Sequence, residues 1–330
     1  MNELQHLLVS GLPLWITADG YKQAMLSTFP LHGSYKSTAN PKAATIVLTP
    51  KQQEFLATHS FYQLETRIAI ESLLAVIAQS DDDIVSLTDD FSDESLPENS
   101  IAYHRVWGVV LSQSYWYFSS KQLEEDLKQA ENNPQITCHF LHINTPGGEA
   151  WYMDRLSETL RNCNKPIITL CEQLCCSAGY YIGCHGQRVY GLTQNDMIGC
   201  IGTMCSFYDF EEYYKKLGIT KVEAKATNSD LKNKMFDDLR KGKSEQYVRE
   251  VLNPLCAQFL TEVREQRKAL ASLADDAPVL RGETFLSSEA EKVGLIDGCK
   301  TMTEVLVEAV TMGKEYAEKE KLKSAIYNIV

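Results

Sequence analysis

The chain has little that would place it in a membrane or on a nucleic acid. No stretch of its 330 residues approaches the ~20 apolar residues that cross a bilayer. The first 14 residues carry Glu3 and lack the basic start and the long apolar run of a signal peptide. Acidic residues outnumber basic ones by 44 to 32, which disfavours a phosphate-binding surface. These absences predict a cytoplasmic protein with no membrane anchor and no nucleic-acid partner.

Metal-binding and disulfide patterns are also missing. Most of the ten cysteines lie in apolar segments, as Cys171, Cys175 and Cys176 do, which is typical of buried free thiols in a reducing compartment. The chain has no pair of C-x-x-C knuckles. His139 and His142 are three apart in a strand-like run, which points them to opposite faces. We therefore expect neither a metal nor a cofactor.

What the sequence does contain is enough apolar residues, 44%, for a large core. Changes in composition predict an accessory module at residues 1–79, an acidic linker at 80–100, a main domain at 101–300 and a C-terminal helical segment at 301–330. From residue 101 onward, strand and helix patterns alternate, which predicts an α/β fold with parallel strands. Within it we expect a helix over residues 149–162, a strand over 202–206 and one long helix over 244–271.

One serine lies where a strand pattern gives way to a helix pattern. Ser177 follows the turn Thr145-Pro146-Gly147-Gly148 by about thirty residues. Backbone N–H groups of such a turn, and of the residue after the serine, can hold an oxyanion. We predict Gly147, Gly148 and Ala178 as these donors. The pairing is the outline of an acyl-transfer site.

A serine nucleophile needs a base within hydrogen-bond reach. His185 lies eight residues after Ser177, two helical turns or about 12 Å away, which is too far for proton transfer. Lysine can act instead where burial lowers its pKa from ~10.4. The polar segment 224–236 offers Lys232 and Lys234, and composition alone does not choose between them.

Four segments, in order, resemble the signal peptide peptidase A and protease IV family of serine peptidases. Residues 142–148 resemble its I-N-S-P-G-G turn, and residues 176–181 resemble its A-S-G/A-G-Y nucleophile motif. Residues 198–202 are similar to its T-G-S-I-G segment. Residues 281–298 are similar to its closing pattern, which ends in G-L-I/V-D.

The resemblance implies a Clp-protease/crotonase-like fold of repeated ββα units, with an N-terminal accessory module and C-terminal helices. It also implies a Ser/Lys dyad without a cofactor, in which Lys232 follows the segment Lys216-Leu217-Gly218-Ile219 and Lys234 is the reserve. The family's glycine before the lysine is absent here. Members form homo-oligomeric rings or domes, in which serine and lysine can come from different protomers.

The stretch with Leu14-Trp15-Ile16 is similar to the start of bacteriophage head-maturation proteases of this family. This implies a protein or peptide substrate, with capsid scaffold as the expected one, in a host cytoplasm or an assembling virion. Three alternatives stay open. The chain could be a cellular signal-peptide-peptidase-like enzyme, a structural member in which Ser177 only caps a helix, or an acyl-CoA hydratase or isomerase that uses Glu149 or Glu172.

Overall fold

The computed structural model of the protein describes residues 14–16, 86–114 and 117–327. The strands are β1 (Leu14–Ile16), β2 (Leu87–Thr88), β3 (Ser100–Trp107), β4 (Ile136–Thr145), β5 (Gly147–Glu149), β6 (Ile167–Cys176), β7 (Arg188–Gly191), β8 (Met197–Gly199) and β9 (Thr284–Leu286). The helices are α1 (Ser120–Asn132), α2 (Met153–Arg161), α3 (Ala178–Gly183), α4 (Glu211–Lys216), α5 (Lys234–Arg240), α6 (Glu245–Tyr247), α7 (Asn253–Gln266), α8 (Lys268–Ala271), α9 (Ser287–Lys292) and α10 (Met302–Tyr327).

A mostly parallel sheet organises the chain. Its strand order is β2-β3-β4-β6-β8-β9, and β7 pairs with the first half of β6. Every pairing in it is parallel except that of β8 with β9. The central strands β4 and β6 are buried along most of their length, as expected of strands that are covered on both faces. The predicted α/β class with parallel strands is confirmed.

Alternate residues of the central strands feed two cores. On one face, Leu141 and Ile143 of β4 join a cluster with Leu156 of α2 and Phe259 of α7. On the other face, Phe140 joins a second cluster to which α10 contributes Val305, Leu306, Ala309 and Val310. This two-residue alternation fixes which residues of each strand point toward α2 and α3 and which toward α10.

Three predicted elements were wrong in their boundaries. Residues 149–152 do not open a helix, because β5 ends at Glu149 and Tyr152 has a left-handed φ of 69° before α2 begins. The strand expected at residues 202–206 lies earlier, at β8. The long helix expected at 244–271 contains a π-helical turn at Val248–Leu252, close to Pro254, whose missing N–H cannot join the regular ladder. It breaks at Arg267, whose φ of −114° and ψ of 97° are extended.

The acidic segment contributes to the sheet where it is described. Strand β2 pairs with β3, and Leu87 and Phe91 are buried. Asp90 and Asp93 accept hydrogen bonds from serines two residues further on, which forms tight turns. The rest of this segment, and the predicted accessory module apart from β1, lie outside the described residues. Among the described ranges, no helix is both long enough and apolar enough to cross a membrane.

Candidate active site

Ser177 occupies a strained turn between β6 and α3. Its backbone angles are φ 55° and ψ −119°, a region that residues with a Cβ rarely adopt. Its N–H donates to the Gly199 carbonyl at 2.8 Å, and its carbonyl accepts from the Tyr181 N–H at 2.9 Å. Its hydroxyl makes no capping bond to the helix, which argues against the helix-cap alternative. A serine in a strained strand-to-helix turn is the geometry of known catalytic nucleophiles.

The Pro-Gly-Gly turn lies beside this serine. Thr145 and Cys175 form the last ladder pair between β4 and β6, and Gly147 and Ser177 each lie two residues further on. A Cβ added to Gly179 would meet the Thr145 methyl carbon at 2.3 Å, so this turn and the start of α3 are in close contact. The two motifs, about thirty residues apart in the sequence, are therefore adjacent in space.

The three predicted oxyanion donors differ in their surroundings. The Gly147 N–H donates to the Thr145 hydroxyl at 3.1 Å. Ala178 is the first residue of α3, where N–H groups have no partner within the helix. Gly147 and Glu149 direct their backbone groups to Val110, so Gly148 directs its own N–H and carbonyl to the opposite side, because these groups alternate along a strand. Gly148 and Ala178 are the better placed donors.

Gly148 is expected to tolerate no side chain. A Cβ there would lie 1.9 Å from the Val110 carbonyl oxygen, which is backbone and cannot move aside. We expect Gly148→Ala to lower the free energy of unfolding by about 1–3 kcal/mol or more, the range for overpacked sites. Urea denaturation would measure it. Gly202→Ala is the matched control, because its nearest neighbour would be 3.9 Å away. Equal stability of the two variants would contradict this packing.

The third and fourth motifs complete the surroundings of Ser177. Gly199 of β8 supplies the carbonyl that holds the Ser177 N–H. The following residue, Cys200, donates its N–H to the Glu283 carbonyl at 2.9 Å, and Gly199 pairs with Thr284 of β9. Residues from distant parts of the sequence therefore lie next to one another beside Ser177.

The two candidate lysines have hydrogen-bond partners other than Ser177. Lys232 is exposed and follows a single 3-10 turn at Thr227–Ser229, and its N–H donates to the Ser229 carbonyl. Lys234 opens α5, and its ammonium pairs with Asp238 at 2.5 Å. Among the described residues, no hydrogen bond joins either ammonium to the Ser177 hydroxyl. The Ser/Lys dyad therefore stays a prediction.

The histidines near the sheet are engaged elsewhere. His185 Nε2 lies 3.0 Å from Glu262 Oε1, and its Nδ1 lies 3.2 Å from the Ile182 carbonyl. His142 lies between the Tyr103 hydroxyl and Glu172 Oε2, each at 2.8 Å. No sequence pattern indicates the pairs of His142 with Glu172 and of His185 with Glu262, because their members are 30 and 77 residues apart.

The carboxylates of the acyl-CoA hypothesis are also paired. The hydrogen bond from His142 holds the pKa of Glu172 below its ordinary value. The side chain of Glu149 accepts the Ser112 N–H at 2.5 Å. Both groups therefore have structural partners, and neither one needs a catalytic role to explain its position.

One group of side chains has the spacing of a metal site. The ligand atoms of Glu131, His139 and Cys163 lie within 4.8 Å of one another. The Glu131 carboxylate, however, already accepts hydrogen bonds from His139 and from the N–H groups of Asn164 and Lys165. Hydrogen bonding alone accounts for this cluster.

A buried histidine pair extends from the same cluster. His139 donates from Nε2 to Glu131, so its Nδ1 accepts from His104 Nε2 at 3.0 Å. Burial, reinforced by the neighbouring histidine, holds the pKa of His104 well below its ordinary value. Burial also lowers the pKa of His139, although Glu131 opposes the effect. Both rings are neutral in the folded chain near neutral pH.

Stability is therefore expected to fall on mild acidification. Unfolded histidines take up protons near pH 6.5, whereas these two rings resist protonation until lower pH, so unfolding binds protons below about pH 6.5. The urea concentration at the unfolding midpoint should decrease as the pH is lowered from 7.5 to 5.5. His104→Gln should show a shallower fall, since one titrating ring is gone. An unchanged wild-type midpoint, or equal slopes for both proteins, would contradict this.

Comparisons with known proteins agree with the sequence motifs. Residues 159–315 match the family model described as Peptidase family S49. Protease 4 of Haemophilus influenzae is 24% identical over 240 residues, which are 71% of this chain. The alignment covers 38% of Protease 4, so the chain spans about two fifths of that relative.

Two solved structures are similar to parts of the chain. A lysine-to-alanine mutant of the 1510-N membrane-bound stomatin-specific protease, in complex with a substrate peptide, is 15% identical with a TM-score of 0.40. The alignment covers 65% of this chain and 81% of that one. A putative enoyl-CoA hydratase/carnithine racemase from Magnetospirillum magneticum is 14% identical with a TM-score of 0.32, covering 62% of this chain and 70% of that one. The matched residues 159–315 include Ser177 and both candidate lysines, so the similarity to Peptidase family S49 covers every side chain of the predicted dyad.

Proposed function

We propose that the protein is a serine endopeptidase with Ser177 as its nucleophile. The observation that carries the proposal is the strained backbone of Ser177 between β6 and α3. Its hydroxyl makes no capping hydrogen bond to α3. The Pro-Gly-Gly turn beside it supplies the second element that acyl transfer needs, a donor for the oxyanion. The family match over residues 159–315 supports the same chemistry.

In the proposed mechanism, Lys232 takes the proton of the Ser177 hydroxyl as Oγ attacks a peptide carbonyl carbon. The N–H groups of Gly148 and Ala178 hold the oxyanion, since Gly147 already donates to Thr145. The C–N bond then breaks, and the leaving amine takes the proton from the lysine. Water hydrolyses the acyl-enzyme by the reverse proton path. This chemistry requires no cofactor.

We further propose that a second copy of the chain brings the lysine to the serine. The segment 208–234, which carries Lys232 and Lys234, is mostly exposed, and α4 within it has no buried residue. Its exposed apolar side chains are Tyr208, Tyr213, Tyr214, Leu217, Ile219, Val222 and Leu231. Several large exposed apolar side chains within one segment are typical of a protein interface. A homo-oligomer would cover it and would bury the lysine, which lowers a lysine pKa.

The proposed substrate is an extended protein segment that adds to β5 beside Ser177, because strand addition gives affinity through the backbone. For the physiological role we propose processing of capsid scaffold in a bacterial host cytoplasm or an assembling virion. Its support is the resemblance of the stretch around Leu14-Trp15-Ile16 to phage head-maturation proteases. A cellular role like that of Protease 4 is the alternative, and digestion of scaffold against signal peptides would separate the two.

Covalent labelling tests the nucleophile directly. The full chain, at a concentration that permits oligomers, is incubated with a serine-reactive phosphonate and its intact mass is measured. We expect one adduct per chain, located on Ser177 by digestion. Ser177→Ala is the control and should stay unlabelled. An unlabelled wild type, or an adduct on another serine, would contradict the proposal.

A further inference from the structure

Strand β5 is occupied on both of its edges. On one edge, the Val110 N–H donates to the Gly147 carbonyl at 3.0 Å, and the Glu149 N–H donates to the Val110 carbonyl at 2.8 Å. On the other edge lies β1, antiparallel, with Leu14 opposite Glu149, Trp15 opposite Gly148 and Ile16 opposite Gly147. The described part of β5 therefore has no free edge to which another strand can add.

The edge that β1 occupies is the one that faces the proposed chemistry. Gly148 directs its N–H and carbonyl toward Trp15, since its neighbours direct theirs toward Val110. The proposed mechanism assigns that same N–H to the oxyanion. Ser177 itself is only 1% exposed. A substrate cannot reach Gly148 in the way the mechanism requires while β1 is paired there.

The two edges of β5 differ in whether the neighbouring segment can be displaced. The Val110 edge is closed by packing, because Val110 is fully buried and its backbone approaches Gly148 too closely for any Cβ. Strand β1 is three residues long and, within the part of the chain that the structure describes, pairs only with β5. A two-stranded pairing is marginal in isolation. Exchange of strands is therefore expected on the β1 edge.

We propose that β1 is an intramolecular occupant of the substrate-binding edge, so that Leu14–Ile16 must leave β5 before an extended peptide binds. Its effect on catalysis rests on the proposed function, whereas the competition for β5 does not. A tethered strand competes at an effective concentration in the millimolar range. The apparent affinity for an added peptide is its intrinsic affinity multiplied by the fraction of chains in which β1 is displaced.

Peptide binding tests the competition without any catalysis. The probe is a fluorescein-labelled peptide of residues 11–19 of this chain, which contains the β1 sequence, and its binding to the full chain is followed by anisotropy. Trp15→Pro removes the N–H that faces Gly148, so its β1 should pair poorly and the probe should bind at least five-fold more tightly than to wild type. Ile16→Pro is the matched control, because the Ile16 N–H points away from β5. It should bind the probe as wild type does.

Equal probe affinity for wild type and Trp15→Pro would overturn the proposal, as would equal gains in both proline variants. Hydrogen exchange on the unmodified chain guards against a misfolded variant. Excess unlabelled peptide should speed exchange of the Trp15 amide, and unchanged exchange would also overturn the proposal. Phosphonate labelling of Ser177 should then be several-fold faster in Trp15→Pro. If the probe binds as expected but no variant is labelled, the proposed peptidase function fails while the strand competition stands.

Discussion

Replacing Ser177 with alanine is expected to abolish peptide hydrolysis, with a loss in kcat of about 10⁴-fold or more. The reason is that no other group in the proposed mechanism can form the acyl-enzyme. The measurement is cleavage of casein and of a fluorogenic peptide by the assembled protein. Circular dichroism and oligomer size should match those of wild type. Retained hydrolysis in the alanine variant would remove Ser177 as the nucleophile.

A glycine at position 177 distinguishes the loss of activity from the effect of the strained backbone on stability. The backbone angles of Ser177, φ 55° and ψ −119°, cost a residue with a Cβ on the order of 1–3 kcal/mol, and glycine avoids this cost. Glycine also loses more freedom on folding, which offsets about 0.4–1 kcal/mol. We expect Ser177→Gly to be inactive but about 1 kcal/mol more stable than Ser177→Ala in urea denaturation. An alanine variant as stable as the glycine variant would mean that the turn stores no strain.

Replacing Lys232 with methionine is the second large effect, an expected loss of about 10²–10⁴-fold in kcat, the usual contribution of a positioned base. Methionine keeps the length and the apolar stem of the side chain and removes the ammonium. Lys234→Met is the matched control, because Lys234 is two residues away and is paired with Asp238. It should retain most activity. Loss of activity only in Lys234→Met would move the base to that residue.

Mixing the two inactive variants tests whether the lysine comes from a second copy. Ser177→Ala chains retain Lys232, and Lys232→Met chains retain Ser177. If neighbouring copies share a site, mixed oligomers contain some complete dyads and activity returns after subunit exchange. If both residues act within one chain, the mixture stays inactive. The exposed position of Lys232, without a hydrogen bond to Ser177 in the described residues, leads us to expect recovery.

The sequence predicted those features that depend on neighbours along the chain. Alternating strand and helix patterns predicted the central strands, and Ser177 was expected at the junction of a strand and a helix, where it lies. The π-helical turn before Pro254 could also have been foreseen, because a proline within a helical pattern removes a ladder hydrogen bond. The strand expected at 202–206 lies earlier in the chain, because Met197–Gly199 is the segment that pairs with both β6 and β9, and such pairing joins residues far apart in the sequence.

By itself, the sequence determined the α/β class, the position of the serine and the glycine turn that accompanies it, because local periodicity and motif order suffice for these. Only the tertiary structure decided which backbone groups face the serine. Gly147 and Gly148 are identical residues in sequence, yet one donates to Thr145 and the other faces β1, since alternation along β5 depends on its pairing with Val110. Pairing of Leu14–Ile16 with β5 joins residues more than 130 positions apart, and such contacts follow from sheet register, which no local pattern encodes.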